Sequence, residues 1–196
     1  MTAQGDHRRI ANIIVIKTAR PRLDAIFAPY LDSIGSDYPG YRNHVERTVS
    51  YAMHFLGNDP AAEPVVETAL AYHDIGLWTD KALAYLEPSE AVALADNARQ
   101  GWGFDPDLLR GIIHWHHKVF PYRGEHAAII DACRRADWID ASMGWLRKGM
   151  PRDAIRQVER AFPNLGFHAA LLRLTKDLGG STVGGSVKVV RGIVKW

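Results

Sequence analysis

The sequence predicts an all-α protein. Proline and glycine divide most of the chain into pieces of helical length, and several pieces carry apolar residues at steps of three and four. No segment before residue 180 alternates apolar and polar residues as a half-buried strand does. A chain of 196 residues is long enough for one sizeable core, so residues 1–178 are expected to form a single helical domain.

Each predicted helix has its own start or stop signal. Gly57 ends the first helix and Gly76 ends the second. Pro88 lies in the first turn of the third helix, which runs to Gly101, and Asp105 is the N-cap residue of the fourth. The predicted helices span residues 41–56, 62–75, 88–101, 106–118, 125–143, 151–162 and 165–178.

Composition excludes several classes of protein. The formal net charge is +2, from 24 basic and 22 acidic residues, which gives no electrostatic case for a nucleic-acid partner. The apolar run at residues 10–16 is shorter than the roughly 20 residues that cross a bilayer, and no signal-peptide cleavage site follows it. The single cysteine, Cys133, excludes an internal disulfide. We therefore expect a cytoplasmic protein with no membrane partner.

The last 18 residues, 179–196, differ from the rest of the chain. They are rich in glycine and then in β-branched and basic residues. One interpretation is a flexible, tag-like end, or a strand that needs a partner. The other is that residues 187–196 dock on the body of the protein or on a second subunit, so a homo-oligomer stays open.

The pair His73-Asp74 ends an apolar helix, just before Ile75 and Gly76. An adjacent imidazole and carboxylate can bind one ion together, and mixed nitrogen and oxygen ligands suit manganese, iron, nickel, cobalt or zinc. The alternative is a histidine packed in the core beside a capping aspartate. For this dipeptide alone, the structural alternative is the better supported one.

Asp137 continues the apolar face of the helix predicted at 125–143. That face runs through Ile130, Cys133 and Ala136, so the carboxylate is expected to point toward the core. Burying an unpaired carboxylate costs several kcal/mol. A bound metal ion would offset this cost, and so would an ion pair with Arg134 or Arg135. Asp140, one turn later, is expected at the surface or in contact with a ligand.

Other histidines lie at the edges of apolar faces. His44 sits between the apolar positions Tyr41 and Val45. The sequence HWHH places His116 on the apolar face of its helix, His117 beside it and His114 further round. These residues are candidates for contact with a metal ion or a substrate, although a single histidine on such a face is usually a core residue.

In this order, His44, the HD pair in ALAYHDIG, the IIHWHH segment and Asp137 in RRADWID resemble the HD superfamily of metal-dependent phosphohydrolases. The resemblance covers about residues 38–145. It implies an HD-type helical bundle with a short C-terminal extension, in which His44, His73, Asp74 and Asp137 bind a divalent metal ion. It also implies hydrolysis of a small phosphate ester or nucleotide by a metal-activated water.

Some members of the superfamily bind two metals, and one branch hydrolyses cyclic dinucleotides. That branch is excluded, because Leu77 replaces its lysine and its GYP motif is absent after the paired histidines. The candidates for a second metal or for the substrate are His114, His116, His117, Glu87 and Glu90. The candidates for the substrate phosphate are Lys118, Arg123, Arg42 and Lys81.

Two other functions fit the same residues. The HD scaffold also carries di-iron oxygenases and small-molecule hydratases or lyases, so a likeness of fold does not determine the reaction. A regulatory or ligand-binding protein that keeps the metal is the second alternative.

Overall fold

The computed structural model describes residues 14–179, and in this part of the chain the only regular secondary structure is helical, with no strand. Two short 3₁₀ helices, Ala28–Tyr30 and Gly35–Asp37, separate the first α-helices. The α-helices are α1 (Pro21–Phe27), α2 (Leu31–Ile34), α3 (Tyr38–Phe55), α4 (Glu63–Tyr72), α5 (Gly76–Thr79), α6 (Leu86–Gln100), α7 (Pro106–Trp115), α8 (Ala127–Ala141), α9 (Arg152–Ala161) and α10 (Phe167–Gly179).

The all-α prediction is confirmed, and all seven predicted helices are present with ends shifted by a few residues. Asp105 caps α7 as predicted: its side chain accepts a hydrogen bond of 2.8 Å from the Asp107 N–H. Gly101 follows α6 in the left-handed conformation that favours glycine. The predicted tail lies outside the described residues from 180 onward, and Gly179 is the last residue of α10.

Three helices were not predicted: α1, α2 and α5. Each has seven residues or fewer, too short for a helical period to be recognised against chance. Leu23, Ile26 and Phe27 of α1 are nevertheless buried, so this short helix covers one side of the core. Within the described residues no helix is both long and apolar enough to cross a membrane.

Helix α3 lies at the centre of the fold. Its contact with α8 is the most extensive between any two helices of residues 14–179, and it also packs against α4. Tyr41, Val45 and Val49 on α3 are fully buried. The polar side chains that α3 carries into this core, His44 and Arg47 among them, therefore need partners inside the protein.

Candidate metal centre

His44, in the middle of α3, is held by Asp140 of α8. Its Nδ1 lies 2.6 Å from the Asp140 carboxylate, which also accepts a 2.8 Å hydrogen bond from the Arg47 guanidinium. Burial favours the neutral acid, but the hydrogen bonds from Arg47 and His44 outweigh it and hold the pKa of Asp140 below its ordinary value. An ionised carboxylate only accepts, so the His44 proton is on Nδ1 and Nε2 presents a lone pair.

His73 follows the last residue of α4, and its ring is fixed in a similar way. Its Nδ1 lies 2.6 Å from the backbone carbonyl of Leu70. A carbonyl can only accept, so Nδ1 is the donor and Nε2 faces the interior. The Nε2 atoms of His44 and His73 are 3.0 Å apart. Two neutral rings in these tautomers would place two lone pairs against each other, an arrangement that requires a cation or a proton between them.

Two carboxylates border this pair of nitrogens. Asp74 Oδ2 lies 3.4 Å from Nε2 of His73 and 3.8 Å from Nε2 of His44. Asp137 Oδ1 lies 3.7 Å and 3.6 Å from the same two atoms. The alternative partners for Asp137 are engaged elsewhere: Arg134 pairs with Asp131 at 2.7 Å, and Arg135 donates to the carbonyl of Lys148.

The separations among His44, His73 and Asp74 suit one divalent ion, since one ligand atom of each lies within 4.8 Å of the other two. Asp137 is not part of this mutually close group, but it borders both histidines. Ligand atoms about 2.1 Å from a shared ion lie about 3.0 Å apart at right angles and about 3.4 Å apart in a tetrahedron. The nitrogen and oxygen atoms described above are 3.0 to 3.8 Å apart. The four residues also come from separate elements: His44 from α3, the HD pair from the end of α4 and Asp137 from α8. An ion bound here would join three helices.

The charges of the cluster favour a cation. Burial lowers the pKa of both imidazoles, and in His44 this effect prevails. In His73 the negative charges of Asp74 and Asp137 overcome burial and raise the pKa to about 9. Burial opposes ionisation of Asp74, yet the neighbouring histidines hold its pKa far below its ordinary value. The cluster therefore combines ionised carboxylate with a histidine that takes up a proton, which a divalent ion would displace.

A second group of polar atoms lies on the other side of Asp74. His116, directly after α7, donates from Nδ1 to the carbonyl of Ile113 at 2.6 Å and directs Nε2 to within 3.4 Å of Asp74 Oδ1. His117 Nδ1 and the Tyr85 hydroxyl lie 3.1 Å and 3.3 Å from that nitrogen. His116 and His117 thus border the predicted ligands, whereas Tyr85 was not predicted.

The remaining candidates for a second metal lie apart from this group. His114 Nδ1 is 2.9 Å from Glu90, which also lies 3.8 Å from Arg110. This pairing engages both His114 and Glu90 with each other. Glu87 is exposed in the first turn of α6, and its charge acts on Lys118.

Of the four residues predicted to contact a substrate phosphate, only Lys118 is both buried and next to the polar group. Lys118 is buried and follows His117 directly, and burial lowers its pKa against the opposing effect of Glu87. Arg123 and Lys81 are exposed. Arg42 binds Asp24 at 2.9 Å and also pairs with Glu46, so its charge is already engaged and it is a poor candidate.

The aromatic residues near the predicted ligands lie in two different environments, the core and a surface groove. Tyr41 and Trp78 are core residues, with ring centroids 4.5 Å apart. Trp115 and Tyr122 lie 5.0 Å apart and line an open surface groove of about 380 Å³ that Arg123 also borders. The other lining residues are Phe120 and Pro121, so the groove lies at the end of α7 and is not lined by His116, His117 or Tyr85.

Comparisons of the chain with family models, curated proteins and solved structures find no match.

Sequence reasoning missed three residues of the candidate centre. Phe167 of α10 stacks on His44 with ring centroids 4.1 Å apart, and Arg47 holds Asp140. Tyr85 precedes α6. Arg47 carried one signal, since it lies three residues after His44 on the same helix; no pattern marks the other two.

Proposed function

We propose that the protein is a metal-dependent hydrolase of a small phosphate ester or nucleotide, of the HD type. One observation carries the proposal: the Nε2 atoms of His44 and His73 face each other at 3.0 Å, bordered by Asp74 and Asp137. These are the four residues that correspond to the HD signature. Neighbours with fixed positions orient both rings, as is usual for histidines that bind metals.

The four side chains would hold manganese, iron, nickel, cobalt or zinc. A divalent ion supplies Lewis acidity toward a phosphoryl oxygen and lowers the pKa of water. Asp140 and Arg47 keep the His44 ring in its tautomer, and the Leu70 carbonyl does the same for His73. Because these supports are built into α3, α4 and α8, the two histidine rings need little rearrangement to bind an ion.

The substrate would approach from the end of α7. His116, His117 and Lys118 are consecutive there, and His116 reaches Asp74. Burial and the charge of His116 lower the pKa of His117 to about 3, so its ring is neutral and can donate or accept a hydrogen bond at a phosphate ester. The surface groove at the end of α7 would offer Trp115 and Tyr122 to an aromatic part of the substrate.

The direct test measures metal and activity together. The full chain would be loaded with each candidate metal in turn, desalted and analysed for bound metal, then assayed against a panel of phosphate monoesters and nucleotides. We expect one ion per chain and phosphate release that depends on it. Oxygen consumption with two irons would favour an oxygenase, and ligand binding without turnover would favour a regulatory protein; either result contradicts the proposal.

Substitution of the ligands tests their assignment. Asp137→Ala and His73→Ala are each expected to lose the bound metal and to lower the melting temperature in metal-containing buffer. A ligand that binds only the folded state, present at a free concentration of 100 times its Kd, raises the free energy of unfolding by about 2.7 kcal/mol. The matched controls are Asp32→Ala, at an exposed position, and His54→Ala, on the last turn of α3. A full equivalent of metal in either ligand variant would show that the assignment of that residue is wrong.

A further inference from the structure

Tyr85 occupies the space between the two paired histidines and the HD aspartate. Its hydroxyl oxygen lies 3.3 Å from Nε2 of His116 and 3.4 Å from Nδ1 of His117. His116 Nε2 is in turn 3.4 Å from Asp74 Oδ1. Two imidazole nitrogens and a carboxylate oxygen would be a ligand set for a second ion if the hydroxyl were not there.

The two sides of Asp74 differ in their hydrogen bonding. On the His44 side, two Nε2 lone pairs face each other at 3.0 Å with both Nδ1 atoms engaged by acceptors. On the His116 side, the Tyr85 hydroxyl and one N–H of the neutral His117 ring are donors beside the Nε2 lone pair of His116. The first side needs a cation or a proton between the two rings. On the second side the His116 ring, Nδ1 of His117 and the Tyr85 hydroxyl all have partners, and Nε2 of His117 is buried without one.

The backbone fixes the position of Tyr85. Gly76, two residues after Asp74, has no side chain, and a Cβ there would lie 2.5 Å from the Tyr85 carbonyl oxygen. That carbonyl also accepts a hydrogen bond of 2.9 Å from the Ser89 N–H in the first turn of α6.

We infer that Tyr85 limits the centre to one ion, because its hydroxyl fills the position that His116, His117 and Asp74 would otherwise offer to a second. This inference rests on the proposed metal function. It assigns Tyr85 as the residue that decides between mononuclear and dinuclear chemistry. It also assigns His116 and His117 to contacts other than metal binding in the natural chain.

The experiment counts metal ions in variants of the full chain. Protein saturated with manganese, and separately with cobalt, would be desalted and analysed for metal per chain, with the cobalt absorption spectrum as a second measurement. We expect one ion in the natural chain and two in Tyr85→Ala. The double variant Tyr85→Ala with His117→Ala should return to one ion, since it removes a ligand of the second position. Tyr122→Ala, a half-buried tyrosine on the groove, is the control and should stay at one.

The outcomes separate this inference from the proposed function. No bound metal in the natural chain would overturn the proposed function itself. One ion in the natural chain and still one in Tyr85→Ala would overturn the role of Tyr85 alone. Two ions in the natural chain, or two in the double variant, would also overturn that role. Circular dichroism of each variant would establish that the protein counted is folded.

Discussion

At the scale of single residues, the centre depends on what lies behind each imidazole. His44, His73 and His116 all direct Nε2 inward, and each Nδ1 faces an acceptor at 2.6 Å. Two of these acceptors are backbone carbonyls three residues earlier, a contact that the chain makes locally where the helix ends. The third is Asp140, which is 96 residues away in the sequence. His44 is therefore the ring whose orientation depends on tertiary structure.

The paired histidines give a prediction at this scale. Replacing His116 and His117 together with glutamine should leave the first ion in place and sharply reduce turnover of a phosphate ester. His116 borders Asp74 and packs edge-on against the His73 ring, with centroids 4.7 Å apart, and His117 contacts His116. Neither residue shares a hydrogen bond with His44 or His73, whose own bonds go to Asp140, Leu70 and each other. The measurements are metal per chain and the rate of phosphate release.

His114→Gln is the internal control for this pair. His114 is bound to Glu90 on α6, so its loss should affect turnover much less. A fully active double variant would contradict the assignment of His116 and His117. So would a double variant that unfolds without any change in metal affinity while folded, because the two histidines would then be ordinary core residues.

How far the sequence predicts the site depends on whether a residue follows a helical period. Asp137 was identified because it extends the apolar face of Ile130 and Cys133, and it is indeed buried beside the histidines. For Asp140 the sequence allows either a surface position or a contact with a ligand, and the structure places it in contact with His44. Tyr85 lies in no periodic segment, so only the close approach of Gly76 to its carbonyl in three dimensions brings it to the centre.

At the scale of elements, the fold brings the proposed ligands together by packing α3 between its neighbours. The long helices were predictable because their apolar faces and terminal glycines and prolines are local features of the sequence. The short helix α5 was not, yet it forms the bend that joins the HD pair to α6. Gly76 begins α5, and its N–H donates to the Ser89 hydroxyl at 3.0 Å.

The contact between α5 and α6 gives a prediction at this scale. Gly76→Ala should lower the free energy of unfolding by about 1–3 kcal/mol, because the added Cβ meets a backbone atom that cannot rotate away. Gly111→Ala on α7 is the matched control. There the added Cβ meets only the end of the Ile130 side chain, and alanine is the better helix former by about 1 kcal/mol. Urea denaturation of both variants measures the difference, and equal stability would show that α6 moves aside freely.

At the scale of the whole molecule, the last described helix, α10, packs against the site. Phe167 of α10 stacks on the His44 ring, and His168 Nε2 lies 3.0 Å from the Asp140 carbonyl. Phe167 is almost completely buried. Helix α10 was predicted from its periodicity, but its contact with His44, more than 120 residues earlier, involves no local signal. The last described helix therefore contacts the candidate metal centre, whereas residues 180–196 supply none of its predicted ligands.

Two truncations test this division of the chain. Deleting residues 180–196 should leave metal content unchanged, because every proposed ligand and every residue that orients one lies between Tyr41 and Phe167. Deleting residues 166–196 also removes α10 and should lower both metal affinity and melting temperature, since loss of a buried phenylalanine side chain alone costs about 3–5 kcal/mol. Elemental analysis and thermal unfolding of the two shortened chains, beside the full chain, make the comparison. A chain of residues 1–179 that folds but holds no metal would show that the tail closes the site, and a chain of residues 1–165 that binds metal as tightly as the full protein would show that the stacking of Phe167 on His44 is incidental.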